Sequence, residues 1–119
     1  MADHNDLGKL GEDLALKTLL TKGYKLKTRN YRFGKGEVDL IMEDADTLVF
    51  IEVKTRQTSE IGEPFQAVTK RKQKLLIKTA EHYILSTESD LNARFDIVSI
   101  VHNQYRTEIS HIDNAFYPS

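Results

Sequence analysis

Gly36-Glu37-Val38-Asp39-Leu40-Ile41, followed after the polar run Glu43 to Thr47 by Val49-Phe50-Ile51-Glu52-Val53-Lys54-Thr55-Arg56, is the stretch on which the reading of this chain turns. Apolar residues alternate with polar ones in both segments and β-branched residues are frequent, the pattern of two strands. The punctuation Asp44-Ala45-Asp46-Thr47 between them predicts a hairpin with a four-residue loop. If Glu43 closes that loop opposite Leu48, then Ile41 faces Phe50, Asp39 faces Glu52 and Glu37 faces Lys54, and all six project from one side of the ribbon. Opposed residues stand roughly 5 Å apart at Cβ, where two carboxylates repel. Asp39 and Glu52 therefore need something positive between them. An oxygen-liking dication shared with substrate phosphate would supply it. The plainer alternative is that Lys54 pairs with Glu37 while Asp39 is solvated on the wet side of a sheet. Against it, Leu48 and Phe50 begin one face of the second strand and Val49, Ile51 and Val53 make the other, so that strand is expected to be central and covered. Its C-terminal end is where open α/β sheets place their chemistry.

The surroundings fit a single compact unit. The chain has 119 residues, 39% of them apolar, which predicts one domain over 1–119. It contains no cysteine, so neither disulfides nor a thiolate zinc site can form. No apolar run is long enough to span a bilayer and no secretory leader opens the sequence; a soluble, cytoplasmic protein with no membrane partner is the expectation.

Net charge is −1, yet the charges are segregated. No acid lies between Asp13 and Glu37, where seven basic residues fall, or between Glu63 and Glu81, where five more do; these are twelve of the seventeen cations. Acids at a hairpin with cationic blocks on either side suit a polyanion approaching a metal, although charge runs are also what ordinary solvated faces look like.

Along the chain, about Asn5 to Lys22 reads as a helix with Asp6, Lys9, Asp13 and Lys17 on its polar side. Glu12 instead falls among Ala15, Leu16 and Leu19, aimed at the sheet, where an unpaired carboxylate is costly. A third metal-associated acid would explain it; Lys9, three residues back, is the alternative partner. Gly23 marks the helix end. Tyr24 to Tyr31 reads as a strand with one cationic face, and Arg29 and Arg32 are candidate phosphate contacts. Phe33 to Gly36 is a turn, and Gln57 to Phe65 a loop beside the proposed site. Gln66 to Leu85 forms a second amphipathic helix with a basic start, and Phe95 to Val101 and Tyr105 to Ile112 are two more strands. The helix between the Glu52 and Phe95 strands makes that pair parallel. Other chemistries find no support: there is no phosphate-binding lysine loop, no nucleophile elbow, and His4, His82, His102 and His111 lack metal-ligand spacing. Asp96 is read as structural.

Asp39 with Glu52-x-Lys54 and an earlier helical Glu12 resembles the PD-(D/E)xK nuclease core. More narrowly, Gly11-Glu12, Asn30-Tyr31-Arg32, Gly36 to Ile41, Phe50 to Arg56 and Arg94-Phe95-Asp96 resemble the bacterial YraN-like family, grouped with archaeal Holliday junction resolvases and restriction endonucleases. The resemblance implies a restriction-endonuclease-like α/β core, a mixed five-stranded sheet flanked by helices in the order α-β-β-β-α-β-β. It further implies Asp39 and Glu52 as ligands of Mg²⁺ or Mn²⁺, Glu12 completing or supporting that site, Lys54 orienting or activating water, and products with 5′-phosphate and 3′-hydroxyl ends. Lys35, Arg56, Lys70 and Lys72 join Arg29 and Arg32 as expected nucleic-acid contacts, with DNA as the expected partner. Cutting a junction would also require a homodimer, because two symmetric strands must be cleaved. The alternative function is a nucleic-acid-binding or protein-interaction module without turnover.

Overall fold

The computed structural model describes residues 4–58 and 68–118. Helix α1 (His4–Thr21) leads into three strands, β1 (Lys25–Phe33), β2 (Gly36–Asp44) and β3 (Thr47–Arg56); helix α2 (Lys70–Thr87) then precedes β4 (Asn92–His102) and β5 (Thr107–Phe116). The strands form one sheet in sequence order, antiparallel except for the parallel β3–β4 pair. This is the expected mixed α/β architecture, with β3 at its centre. Most of the expected loop between Gln57 and Phe65, and the first residues of the expected second helix, lie outside the described residues.

Each helix covers one face. Ala15 and Leu19 of α1 pack with Leu40, Met42, Val49, Ile51, Val98 and Ile100, all buried. On the other face Leu76, Ala80 and Tyr83 of α2 pack with Ile41, Leu48, Phe50, Phe95 and Ile97. Phe50, Phe95 and Phe116 stack in series with centroids 5.6 and 5.1 Å apart, which explains why β3 carries an aromatic where β4 and β5 do. Among the described residues no helix is long and apolar enough to cross a membrane.

The ends of both helices follow from local chemistry. Gly23, at φ 97°, takes the left-handed position after α1, while Tyr24 N–H and Gly23 N–H donate to the carbonyls of Leu19 and Leu20. Thr69 caps α2 by accepting from Lys72 N–H at 3.2 Å.

The hairpin register is as counted as far as the ladder runs, with Ile41 opposite Phe50 and Glu43 opposite Leu48, but the ladder ends at Leu40–Ile51, short of the expected pairs Asp39–Glu52 and Glu37–Lys54, and the turn is tighter than four residues. Asp44 pairs with Thr47, leaving Ala45 and Asp46 as the loop, with Ala45 at φ 54° as a two-residue turn requires. The strict alternation expected of β2 also fails. Val38 packs on the α2 side, whereas Leu40, two positions on, packs on the α1 side. Residues two apart share a face in a regular strand, so the phase slips by one at Asp39. The neighbouring strand slips with it: Asn30 takes φ 51° between the pairs Arg29–Leu40 and Tyr31–Val38.

Candidate functional site

The β2–β3 ladder closes at Leu40–Ile51, so Asp39 and Glu52 sit where pairing stops. Beyond that point the amide of Val53 donates to Asp39 Oδ2, at 2.8 Å. The phase slip and the fork in the ladder thus turn two strand carboxylates into the floor of a cleft of about 420 Å³. Leu7, Gly8 and Glu12 of α1 form one wall, Lys72, Leu75 and Leu76 of α2 another, and Lys35, Glu37 and Lys54 complete the rim. The cleft therefore lies against the N-terminal halves of both helices, whose dipoles favour anions.

Two glycines allow the helices to come this close. A Cβ at Gly11 of α1 would run into the hydroxyl of Thr55 on β3, and one at Gly36 of β2 into the side chain of Thr79, with the Leu75 carbonyl 2.9 Å away.

Both acids are deeply buried, Asp39 at 9% and Glu52 at 5% exposure. Burial first, then a hydrogen bond to Glu52 and its charge, push the Asp39 carboxyl up to about 9, against the opposing pull of Val53 N–H. Glu52 Oε2 is buried and lies 2.8 Å from Lys72 Nζ, whose ammonium compensates its charge. Lys54 is the fourth member. Burial, then the neighbouring Lys72, lower its pKa, with Glu52 and Asp39 only partly offsetting them. Burial would lower Lys72 too, but its contact with Glu52 outweighs that and raises it. Two acids and two lysines are thus packed together, one of each type biased toward its neutral form.

The other expected site residues are placed less uniformly. Glu12 lines the cleft and adds to the negative field on Asp39, but its own carboxylate accepts from Asn30 at 3.0 Å and lies 3.7 Å from Arg29. Lys9 is not its partner among these contacts. Arg29 is also held by Asp13 at 2.9 Å, and Arg32 by Glu37, so two of the expected phosphate contacts are paired with acids, and Glu37 is taken by Arg32 instead of Lys54. Lys35 lines the cleft and Lys70 is exposed at the start of α2. Arg56 is half-buried near the end of β3. Lys72, expected as a nucleic-acid contact on the basic start of α2, lies inside the cleft against Glu52. Its signal was available: Leu76, Thr79, Ala80 and Tyr83 form the buried stripe of α2, and Lys72 is one turn before Leu76 on that stripe.

The donor set can be tested against the implied Mg²⁺ or Mn²⁺. Among the described residues no three His, Cys, Asp or Glu side chains converge closely enough to hold a metal by themselves. Two carboxylates do, Glu52 held against Lys72 and Asp39 pressed toward protonation by burial and then by Glu52. That set fits an ion held by one or two carboxylates and completed by water and substrate phosphate, the usual mode of Mg²⁺.

A mixed five-stranded sheet flanked by two helices, with one acid from β2 and one from β3 brought together where their ladder ends, defines an α/β protein with a buried acidic cleft. The chain belongs to Uncharacterised protein family UPF0102, the YraN family, whose model matches residues 11–100, from the middle of α1 through the fork and α2 to near the end of β4. It is 44% identical over 117 residues to a UPF0102 protein of Christiangramia forsetii, covering 98% of each chain. A UPF0102 protein of Flavobacterium psychrophilum is 42% identical at the same coverage, and one of Phocaeicola vulgatus is 42% identical over 99% of this chain and 98% of its own.

Proposed function

We propose that this protein is a metal-dependent nuclease that hydrolyses phosphodiester bonds of DNA, branched or junction DNA among its candidate substrates. The observation that carries the reading is the pairing of Asp39 with Glu52 at the strand fork, both buried, with the Asp39 carboxyl pushed up by burial and by Glu52 and with Glu52 Oε2 facing Lys72 across the cleft. Nothing in the packing of a sheet calls for two adjacent buried acids; taking such groups out of water costs stability. Asp39 and Glu52 would hold Mg²⁺ or Mn²⁺, with Glu12 at the margin of the same cleft. Bound there, the ion would polarise a phosphoryl oxygen and make its bound water more acidic.

The chain's own residues supply the rest. Lys54, more easily deprotonated than a free lysine, can orient a water and take its proton as the oxygen attacks phosphorus and the P–O bond to the leaving sugar oxygen breaks. Lys72 keeps its charge and can move from Glu52 to the phosphate as negative charge builds there. Lys35 on the rim and Lys70 at the start of α2 attract the backbone, a role that needs no fixed geometry.

A second reading, a nucleic-acid-binding module without turnover, is favoured by one observation: Lys72 already neutralises Glu52 without an ion. Cleavage of plasmid, single-stranded, flap and junction DNA in Mg²⁺ or Mn²⁺ separates the two. The nuclease reading expects turnover that Asp39→Ala and Glu52→Ala each reduce by about 100-fold or more, the scale of losing a charge-stabilising group. Salt-dependent binding with no cleavage of any substrate would establish the second reading instead.

A further inference from the structure

A second groove opens beside the cleft and shares Lys35, Gly36 and Leu75 with it. Its volume is about 340 Å³, and Phe33, Gly34, Lys78 and Thr79 complete its lining. A single exposed aromatic would need no explanation. Phe33 differs because it is propped in place. Its ring, 37% exposed, lies flat on the imidazole of His82, with centroids 3.8 Å apart and planes 11° from parallel. His82 is fixed in turn by Tyr31, whose hydroxyl lies 2.6 Å from Nδ1, and Tyr31 sets its ring edge-on to the buried Tyr83. A ring stacked on a ring that is itself hydrogen-bonded has already lost its rotational freedom, so a ligand need not supply that ordering.

We infer that Phe33 is a stacking platform for an unpaired base, with Lys35 and Lys78 holding the flanking phosphates, so that the substrate enters the cleft as single-stranded or locally unpaired nucleic acid. This rests on the reading of the adjacent cleft as a phosphodiester site. Three features support it together. The platform is aromatic and rigid, its rim carries two lysines and no acid, and the groove runs directly into the cleft holding Asp39 and Glu52. Aromatic faces joined to a cationic track are how single strands are held without sequence preference. A paired duplex keeps its bases in the stack and offers no free face, so the groove selects for unpaired nucleotides.

The test is binding measured by fluorescence anisotropy in EDTA at low salt, using a short oligothymidylate and a blunt duplex. Phe33→Ala weakens oligothymidylate binding roughly five- to 100-fold, the range for one stacked base, and leaves duplex binding unchanged. Phe33→Trp retains binding, and Phe33→Leu, which keeps apolar bulk without an aromatic face, fails as the alanine variant does. Circular dichroism melts verify that each variant is folded, as expected for a side chain this exposed. A wild type that does not bind the oligonucleotide, a Phe33→Ala variant that binds it as well as wild type, or an equal loss for strand and duplex overturns the proposal. Because no metal is present, those failures leave the hydrolysis reading standing; Phe33-dependent binding without any Asp39-dependent cleavage would refute hydrolysis and keep the platform.

Discussion

Asp39 and Asp96 are both buried aspartates on neighbouring parts of one sheet, and they live under opposite rules. Asp96 is fully buried and fully answered: Arg94 donates to its two oxygens at 2.9 and 3.0 Å, His111 Nε2 lies 2.6 Å away and the Asn114 amide donates at 3.2 Å. Arg94 is itself anchored by the Tyr24 hydroxyl at 2.7 Å, and Lys22 lies 3.0 Å from His111 Nδ1. Burial alone would raise its pKa, but hydrogen bonds from His111 and Arg94 outweigh it and hold the carboxyl below the usual range. Asp39 has the Val53 amide and faces another acid. The comparison teaches that depth does not decide whether a buried acid is structural. A carboxylate offers about four acceptor sites, and what matters is how many of them donors already fill.

The sharpest way to break this comparison is to remove each carboxylate's charge in turn. Asp96→Asn leaves Arg94 and His111 facing a neutral amide in the interior, which should cost about 3–5 kcal/mol in urea unfolding. A loss below about 1 kcal/mol would mean that the network is dispensable, contrary to its geometry. A smaller effect is expected at Lys72. Lys72→Met strands Glu52 Oε2 without its cation and should destabilise by about 1–3 kcal/mol at pH 8. Unchanged stability there would show that the 2.8 Å contact does little.

Asp39→Asn should run the other way, gaining about 1 kcal/mol at pH 8, a rise in Tm of about 4 °C or more. The sign follows from the pKa. Folded Asp39 keeps its proton up to about pH 9, whereas the unfolded chain releases it near pH 4. Between those values the folded state binds more protons, so wild-type stability falls as pH rises, and the amide variant lacks that slope. Asp96 behaves inversely: its contribution is complete above about pH 4 and disappears on acidification through its lower folded value. Thermal melts from pH 5 to 9 that show no widening gap between wild type and Asp39→Asn would contradict the strained-pair description.

Much of the fold was legible because it rests on local pattern. Alternation fixed the hairpin register, apolar residues on both faces of β3 placed it at the centre, and Gly23 stopped α1. What escaped the sequence depends on contacts that no local pattern encodes. The phase slip at Asp39 has no glycine or proline to announce it and is shared with Asn30 on the adjacent strand. The Asp96 network draws Tyr24 and His111 from positions far from Arg94 in the chain, and only Arg94-Phe95-Asp96 hinted at it. Lys72 reads in the sequence as one of a run of cations contacting nucleic acid, and only its place one turn before Leu76 on the buried stripe of α2 puts it against Glu52. The site acids were legible for the opposite reason: opposed carboxylates on a covered strand violate a simple electrostatic rule, and a rule broken in the sequence stands out.

Calorimetric titration of Mn²⁺ into wild type and Asp39→Asn at pH 8 tests the central claim most directly. Wild type should bind one ion through the Asp39–Glu52 pair and release protons as it does so, and the variant should bind far more weakly. A wild-type protein that produces no binding heat at millimolar Mn²⁺, or a variant that binds as tightly as wild type, would contradict the account.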